Sequence, residues 1–142
     1  MIRFTYYGKV RGKGRPRATI RAGYAHIYTD EETSKYEVSI KESYLAQCQE
    51  AYLDSDQPLM IAITIYQEVP KSYSKKKKLQ ALERTIRPTK KPDVDNIAKS
   101  VMDALNKVAY ADDTQIVDCS IRKWYGEREK IEVTIKPYEK EE

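Results

Sequence analysis

The residues best suited to chemistry in this chain are aspartates, and they come in two pairs. Asp93 and Asp95 flank Val94, and Asp112 stands next to Asp113. Pro92 discourages helix before it, so Asp93 is the natural N-cap of the helix that follows, with Lys99 one turn beyond Asp95. A hard cation such as Mg²⁺ takes one or two carboxylates together with waters and substrate phosphate oxygens. Asp93, Asp95 and Asp113 could converge on such an ion, because an N-cap residue is not helical and can share a pocket with Asp95. The same residues also have a purely structural use. Asp93 then caps the helix, Asp95 lies against the positive end of its dipole, and Asp112 and Asp113 close the helix–strand turn. Spacing alone leaves both open.

What surrounds the aspartates is basic. Arg84, Arg87, Lys90 and Lys91 lead up to Asp93, and Lys75-Lys76-Lys77-Lys78 precede them. Near the N-terminus Lys9, Arg11, Lys13, Arg15 and Arg17 occupy every second position, separated in part by Gly12, Gly14 and Pro16. In extended backbone all of these cations would project from one side. They are either a solvated loop or an arm that grips phosphates, with glycines permitting close approach. Adjacent lysines cannot all face one way on a short helix, so some serve solubility while others could track a polyanion. Carboxylates framed by cations suit phosphodiester chemistry, in which carboxylates hold metal and cations hold phosphate.

The elements that must position these groups follow from periodicity. Val94, Ile97, Ala98, Val101, Met102, Leu105 and Val108 form the apolar stripe of a helix packed on a core, with Asp95, Lys99 and Asp103 as an exposed row opposite. Residues 1–7 alternate as a first strand, and 18–28 read as a hairpin turning near Arg21-Ala22-Gly23. A long helix starts at Asp30, capped by Thr29 or Asp30, and runs to about Leu53 with Tyr36, Val38, Ile40, Tyr44, Leu45, Cys48 and Tyr52 on its apolar side. Residues 59–69 are the most apolar run and read as a strand buried on both faces. A short basic helix is expected within 70–85. Residues 115–126 and 130–138 alternate as a closing hairpin, before an acidic tail at 139–142. Strands and helices interleave, which points to an α/β (α+β) fold with a mixed β-sheet, two to three helices packed against it, and a single small domain over 1–142.

The chain has 142 residues, 40% hydrophobic and 34% charged, with a net charge of +4. That length buries a core unaided. No apolar run reaches the 18 or so residues of a membrane span, and the N-terminus has no signal-peptide pattern, so the expected location is the cytoplasm. The two cysteines, Cys48 and Cys119, have no metal-type spacing and read as reduced thiols. His26 is the only histidine, so a site that needs two from one chain is excluded. No P-loop, Gly-x-Gly-x-x-Gly or nucleophile-elbow pattern occurs. The tools left are carboxylates, lysine and a metal-bound water.

One compound motif goes further. Lys91-Pro92-Asp93-Val94-Asp95-Asn96-Ile97-Ala98-Lys99, then Asp103-Ala104-Leu105, then Asp112-Asp113-Thr114-Gln115-Ile116-Val117 resembles the signature of the RusA family of Holliday junction resolvases. Arg15-Pro16-Arg17 agrees more loosely with a basic segment of that family, and the insertion at 75–78 is an elaboration. The resemblance implies a RusA-like endonuclease domain with a basic loop at 8–17 and a catalytic segment at 91–117. It implies a homodimer that binds four-way junction DNA and cuts opposing strands symmetrically, with Mg²⁺ as cofactor and no small-molecule cofactor. Carried over by position, Asp93, Asp95 and Asp113 are the metal carboxylates, with Asp112 as assistant or replacement, and Lys99 is the catalytic lysine. Lys13, Arg15, Arg17, Lys76, Arg87, Lys90 and Lys91 are the expected DNA-binding cations. The competing readings are a non-catalytic branched-DNA-binding module, in which the aspartates are caps, and a small-molecule phosphohydrolase. The latter leaves the basic segments without a role.

Overall fold

Alternation at residues 2–7 puts Ile2, Phe4 and Tyr6 on a buried face, and this segment is strand β1 (Ile2–Tyr7). The computed structural model describes residues 1–12, 17–21, 24–28 and 31–140, the second and third of these stretches by backbone. β2 (Arg17–Arg21) and β3 (Tyr24–Tyr28) pair antiparallel, as the hairpin expected at 18–28. Helix α1 (Glu31–Gln47), strand β4 (Leu59–Glu68) and the short basic helix α2 (Lys75–Leu82) follow. Then come helix α3 (Val94–Leu105), a 3-10 turn at Asp113–Gln115, and strands β5 (Ile116–Gly126) and β6 (Lys130–Pro137). β1, β6, β4 and β5 form a four-stranded mixed sheet in that order, so the expected α+β fold holds.

The core lies on one face of this sheet. Ile61, Ile63 and Ile65 of β4 and Ile131, Val133 and Ile135 of β6 meet Tyr36, Ile40 and Tyr44 of α1 and Ile97, Val101 and Leu105 of α3. The expectation that β4 is buried on both faces fails: Ala62 is exposed and Met60, Thr64 and Tyr66 are only partly covered. No helix packs flat on that side, so the apolar run reflects β-propensity as much as burial. The expected closing hairpin of 115–126 with 130–138 fails as well. β4 inserts between the two strands, parallel to β5 and antiparallel to β6. The connection at 127–129 therefore passes over the end of β4, close to Tyr66. A Cβ at Gly126 would stand 3.1 Å from Tyr66 Cβ, so glycine permits that approach.

α1 is shorter than expected, and its start at Thr29 or Asp30 lies outside the described residues. It stops at Gln47 because its last residues turn to the open edge of β1. Thr5 N–H donates to Gln47 Oε1 (2.9 Å), Gln47 Nε2 donates to Thr5 O (2.7 Å), and Cys48 Sγ–H reaches Arg3 O. Side chains thereby satisfy an edge that no strand covers. Val38 and Leu45, expected on the apolar side, are exposed; Thr33, Tyr36, Ile40 and Tyr44 hold the buried stripe. Cys48 and Cys119 are both free thiols, as expected. Among the described residues no helix is long and apolar enough to cross a membrane.

One buried amide joins the loops on either side of the sheet's entry. Gln115 is 3% exposed; its Oε1 accepts from Ala111 N and Asp112 N, and its Nε2 donates to the carbonyls of Tyr52, Asp54 and Gln57. Every polar atom of the side chain is used, and replacing it with an apolar group of equal size would orphan backbone groups in a dry setting. Gln115→Leu is expected to cost about 3 kcal/mol, or roughly 10 °C in thermal midpoint. Circular dichroism melts of the two proteins would check this, and a loss under about 1 kcal/mol would show that water replaces the clamp.

Candidate active site

α3 is the helix on which the candidate residues lie. Ile97, Ala98, Val101 and Leu105 are buried, while Asp95 and Lys99 are exposed on the opposite side and Asp103 is partly covered. The exposed row is therefore as expected. Two members of the expected stripe depart from it. Val94 is 41% exposed in the first turn, and Val108 lies beyond the helix end.

Asp93 occupies the N-cap position with extended backbone, but its carboxylate makes no capping hydrogen bond. Its charge faces Lys123, whose ammonium donates to the carbonyls of Lys90 (2.7 Å) and Pro92 (3.0 Å). Burial pulls the Lys123 pKa down, and the charge of Asp93 pulls it back up. Gln67 Nε2 adds a bond to Lys91 O, so both β4 and β5 hold the 90–92 loop in place. The N-terminal basic loop reaches the same end of α3. A Cβ on Gly12 would lie 3.0 Å from Asn96 Cβ and 3.1 Å from Pro92 Cβ, so only glycine lets this backbone approach so closely. The structure thus brings Gly12 of the N-terminal loop and the 90–92 loop to the Asp93/Asp95 end of α3. Among the described residues, neither of those carboxylates is engaged in a hydrogen bond or close ion pair.

The second pair lies at the other end of the helix. Asn106, the C-cap residue, accepts from Asp113 N through Oδ1. Asp112 is a true cap: its carboxylate accepts from Thr114 N, and it forms a capping box with Gln115. That backbone bond holds the Asp112 carboxyl below the usual range, helped by a hydrogen bond with Asp113. Asp113 is pushed up by sharing that hydrogen bond, then by burial and by the charges of Asp112 and Asp103. The same three aspartates raise the pKa of Tyr110, although burial does most of this. The two aspartates at N-cap positions therefore differ: the Asp112 side chain caps, whereas that of Asp93 does not.

Within one chain the two pairs stay apart. α3 has 12 residues, which is roughly 18 Å of helix between Asp93 and Asn106. Among the described residues, no three His, Cys, Asp or Glu side chains are close enough to hold a metal ion. The chemistry of the donors nonetheless suits a hard cation, since all are carboxylate oxygens on a wet surface.

The expected DNA-binding cations are spread over both faces of the sheet edge. Arg87 Nε donates to Lys123 O, and its guanidinium lies 3.7 Å from the Trp124 ring centre. Lys90 and Lys91 are exposed beside Asp93, and Lys76 is exposed on α2. Lys13 and Arg15 lie outside the described residues, as does the side chain of Arg17. Lys123, Asn106 and Gln115 were not singled out by sequence reasoning. Lys123 had a signal, a lysine at an inward position of β5 between Ile121 and Tyr125. Gln115 had only its place in the motif, and Asn106 had none.

Comparison with known proteins gives the family. The chain is 41% identical over 137 residues to an uncharacterized protein, YqaN, of Bacillus subtilis (strain 168), with 95% of each chain covered. The family model for endodeoxyribonuclease RusA matches residues 8–136, a span that takes in the basic loop, the crossover helices and the whole 91–117 segment. The chain therefore belongs to the RusA family of endodeoxyribonucleases, and is an endonuclease that hydrolyses phosphodiester bonds in DNA.

Proposed function

We propose that this protein resolves four-way (Holliday) junctions in DNA recombination and repair, by paired symmetric nicks that depend on Mg²⁺. The observation that carries this reading is the Asp93/Asp95 pair, free of a capping bond, at the point where Gly12 of the N-terminal loop meets the 90–92 loop. Carboxylates beside phosphate repel it unless a cation intervenes, so a site built this way needs a metal. A divalent cation bound there supplies Lewis-acid polarisation of the phosphate and an acidified water. Asp93 and Asp95 would hold it, with Asp113 as third ligand. Lys99, one turn from Asp95, faces the same surface and offsets negative charge that develops on the phosphate in the transition state. Lys90, Lys91 and Arg87 position the strand, together with Lys13, Arg15 and Arg17 of the N-terminal loop and Lys76 on α2.

The separation of the two aspartate pairs gives the homodimer a chemical reason. Two copies related by a twofold axis, with their α3 helices antiparallel, would set Asp93 and Asp95 of one chain beside the other chain's Asp113. Both sites would then be equivalent, as a pseudo-twofold junction requires. No small-molecule cofactor enters this scheme, and we place the enzyme in the cytoplasm.

The deciding experiment compares cleavage of a labelled four-way junction with that of linear duplex, with and without Mg²⁺. Symmetric Mg²⁺-dependent nicks that Asp95→Asn abolishes while junction binding survives are the expected result. Tight binding with no cutting under any metal would make the chain a non-catalytic branched-DNA-binding module. Lys99→Ala separates catalysis from ion pairing: the expected stability change is below about 1 kcal/mol, with a rate loss on the order of 10³-fold or more. Co-expressed, differently tagged Asp95→Asn and Asp113→Asn chains test the shared site. Mixed dimers are expected to regain one intact site and nick a single strand, whereas sites built within one chain would leave them inactive.

A further inference from the structure

Most of the outer face of the sheet, with Lys71 and with Lys78 of α2, is not used by the site described above. On that face one line across the four strands carries Tyr7, Lys130, Tyr66 and Trp124 in register. A cation sits on each ring. Arg128 lies 4.4 Å from the Tyr7 ring centre, Lys130 lies 4.8 Å from that of Tyr66, and Arg84 and Arg87 lie 4.6 and 3.7 Å from that of Trp124. Tyr7, Tyr66, Arg84, Arg128 and Lys130 line a concavity of about 510 Å³, walled by Leu82 and Gly126. A neighbouring hollow of about 250 Å³ shares Leu82, Gly126 and Glu127 and adds Lys71 and Lys78. Together they make a furrow between α2 and the outer sheet face.

Charge in the furrow is one-sided. Glu68 and Glu127 line it, and Glu132 pairs with Lys130 at 3.2 Å. Against them stand Arg84, Arg128, Lys130, Lys71 and Lys78. A guanidinium stacked on a ring keeps its N–H edge turned outward in a fixed plane, which suits phosphate oxygens. Each ring already carries a cation, an arrangement that favours phosphate contacts over base stacking. Arg84 adds an unusual feature: it takes φ of 68° just after α2, where helix ends favour glycine, and its side chain lies on Trp124. The furrow is also joined to the active site. Lys123 and Trp124 are neighbours on β5 with opposite facing, so segment 84–92 wraps the sheet edge from Trp124 on the outer face to Lys123 on the α3 face.

We propose that this furrow is a second DNA-contacting surface, which takes the phosphate backbone of a duplex arm leaving the active site around the β5 edge. The proposal rests on reading the chain as a junction nuclease. It assigns Arg84, Arg128, Lys130, Lys71 and Lys78 a role in holding DNA remote from Asp95.

The test is binding of a fluorescent four-way junction in EDTA over roughly 50–200 mM salt, by the full chain and by an Arg84→Gln/Arg128→Gln/Lys130→Gln variant. The expected result is at least a tenfold weaker affinity and a salt dependence shallower by about two to three, since each lost phosphate contact removes close to one from the slope. Unchanged affinity and slope would overturn the proposal, as would weaker binding with an unchanged slope. Should the triple variant melt early, Lys71→Gln/Lys78→Gln decides the matter. These exposed lysines touch no core, and the slope is then expected to fall by one to two. A wild-type protein that binds with the full slope but cuts no junction under any metal would sink the nuclease reading and leave the furrow standing. Normal cutting with no change in slope would do the reverse.

Discussion

The constraint on which this architecture turns is that β4 and β5 run parallel. A parallel pair cannot be closed by a tight turn, so the chain must travel back along the whole sheet before β5 begins. Residues 69–115 make that return journey, and they contain α2, the basic 84–91 segment, α3 and both aspartate pairs. α2 lies against β5 at the sheet edge, and α3 packs into the core on the inner face. The crossover therefore has to wrap the edge strand. α3 has to span the sheet's length, which is why its N-terminal and C-terminal aspartates cannot meet within one chain.

Holding the wrap in place falls to a few polar contacts. Lys123 points inward from β5, and burial disfavours its charge. Two carbonyls of the 90–92 loop and the field of Asp93 compensate. On the next residue Trp124 carries two arginines of the same segment. The edge of β5 is thus occupied by its own crossover instead of being left open to another strand. The fixed edge sets the angle at which Asp93 leaves Pro92, and Gly12 then lets the N-terminal loop lie against it.

Much of this was legible in the sequence, and the failures have identifiable causes. Period 3.6 over Ile97, Ala98, Val101 and Leu105 located α3 and its exposed row, because the buried face allows little choice. Alternation located β5 and β6 but could not name their partners, since period 2 defines a strand's faces and not its neighbours. The run at 59–69 looked buried on both sides because Met60, Ala62 and Tyr66 are apolar types, yet one of those sides faces solvent. α1 was drawn too long because Cys48 and Tyr52 continue a helical rhythm. Tyr52 in fact bridges to Tyr110, with its N–H on Ala109 O. Tyr52 is thus placed by a tertiary bond, whereas Cys48 still closes a helical bond to Tyr44 O and turns its thiol to Arg3 O.

The aspartates show most clearly where residue types stop being informative. A cap and a metal ligand demand the same carboxylate at the same kind of helix start, so no spacing argument can separate them. The hydrogen bonds show which of these carboxylates act as caps. Asp112 has spent its oxygens on Thr114 N–H and on Asp113, and its capping box sets the geometry of the turn. Asp93 adopts the cap backbone without the cap bond, and the charge near it is an ammonium already committed to two carbonyls. A carboxylate held at a helix start without that bond gives up a contact usually worth about 1 kcal/mol. The Asp93 side chain is exposed at the helix start, where the field of the helix N-terminus and the Lys123 ammonium both favour its charge.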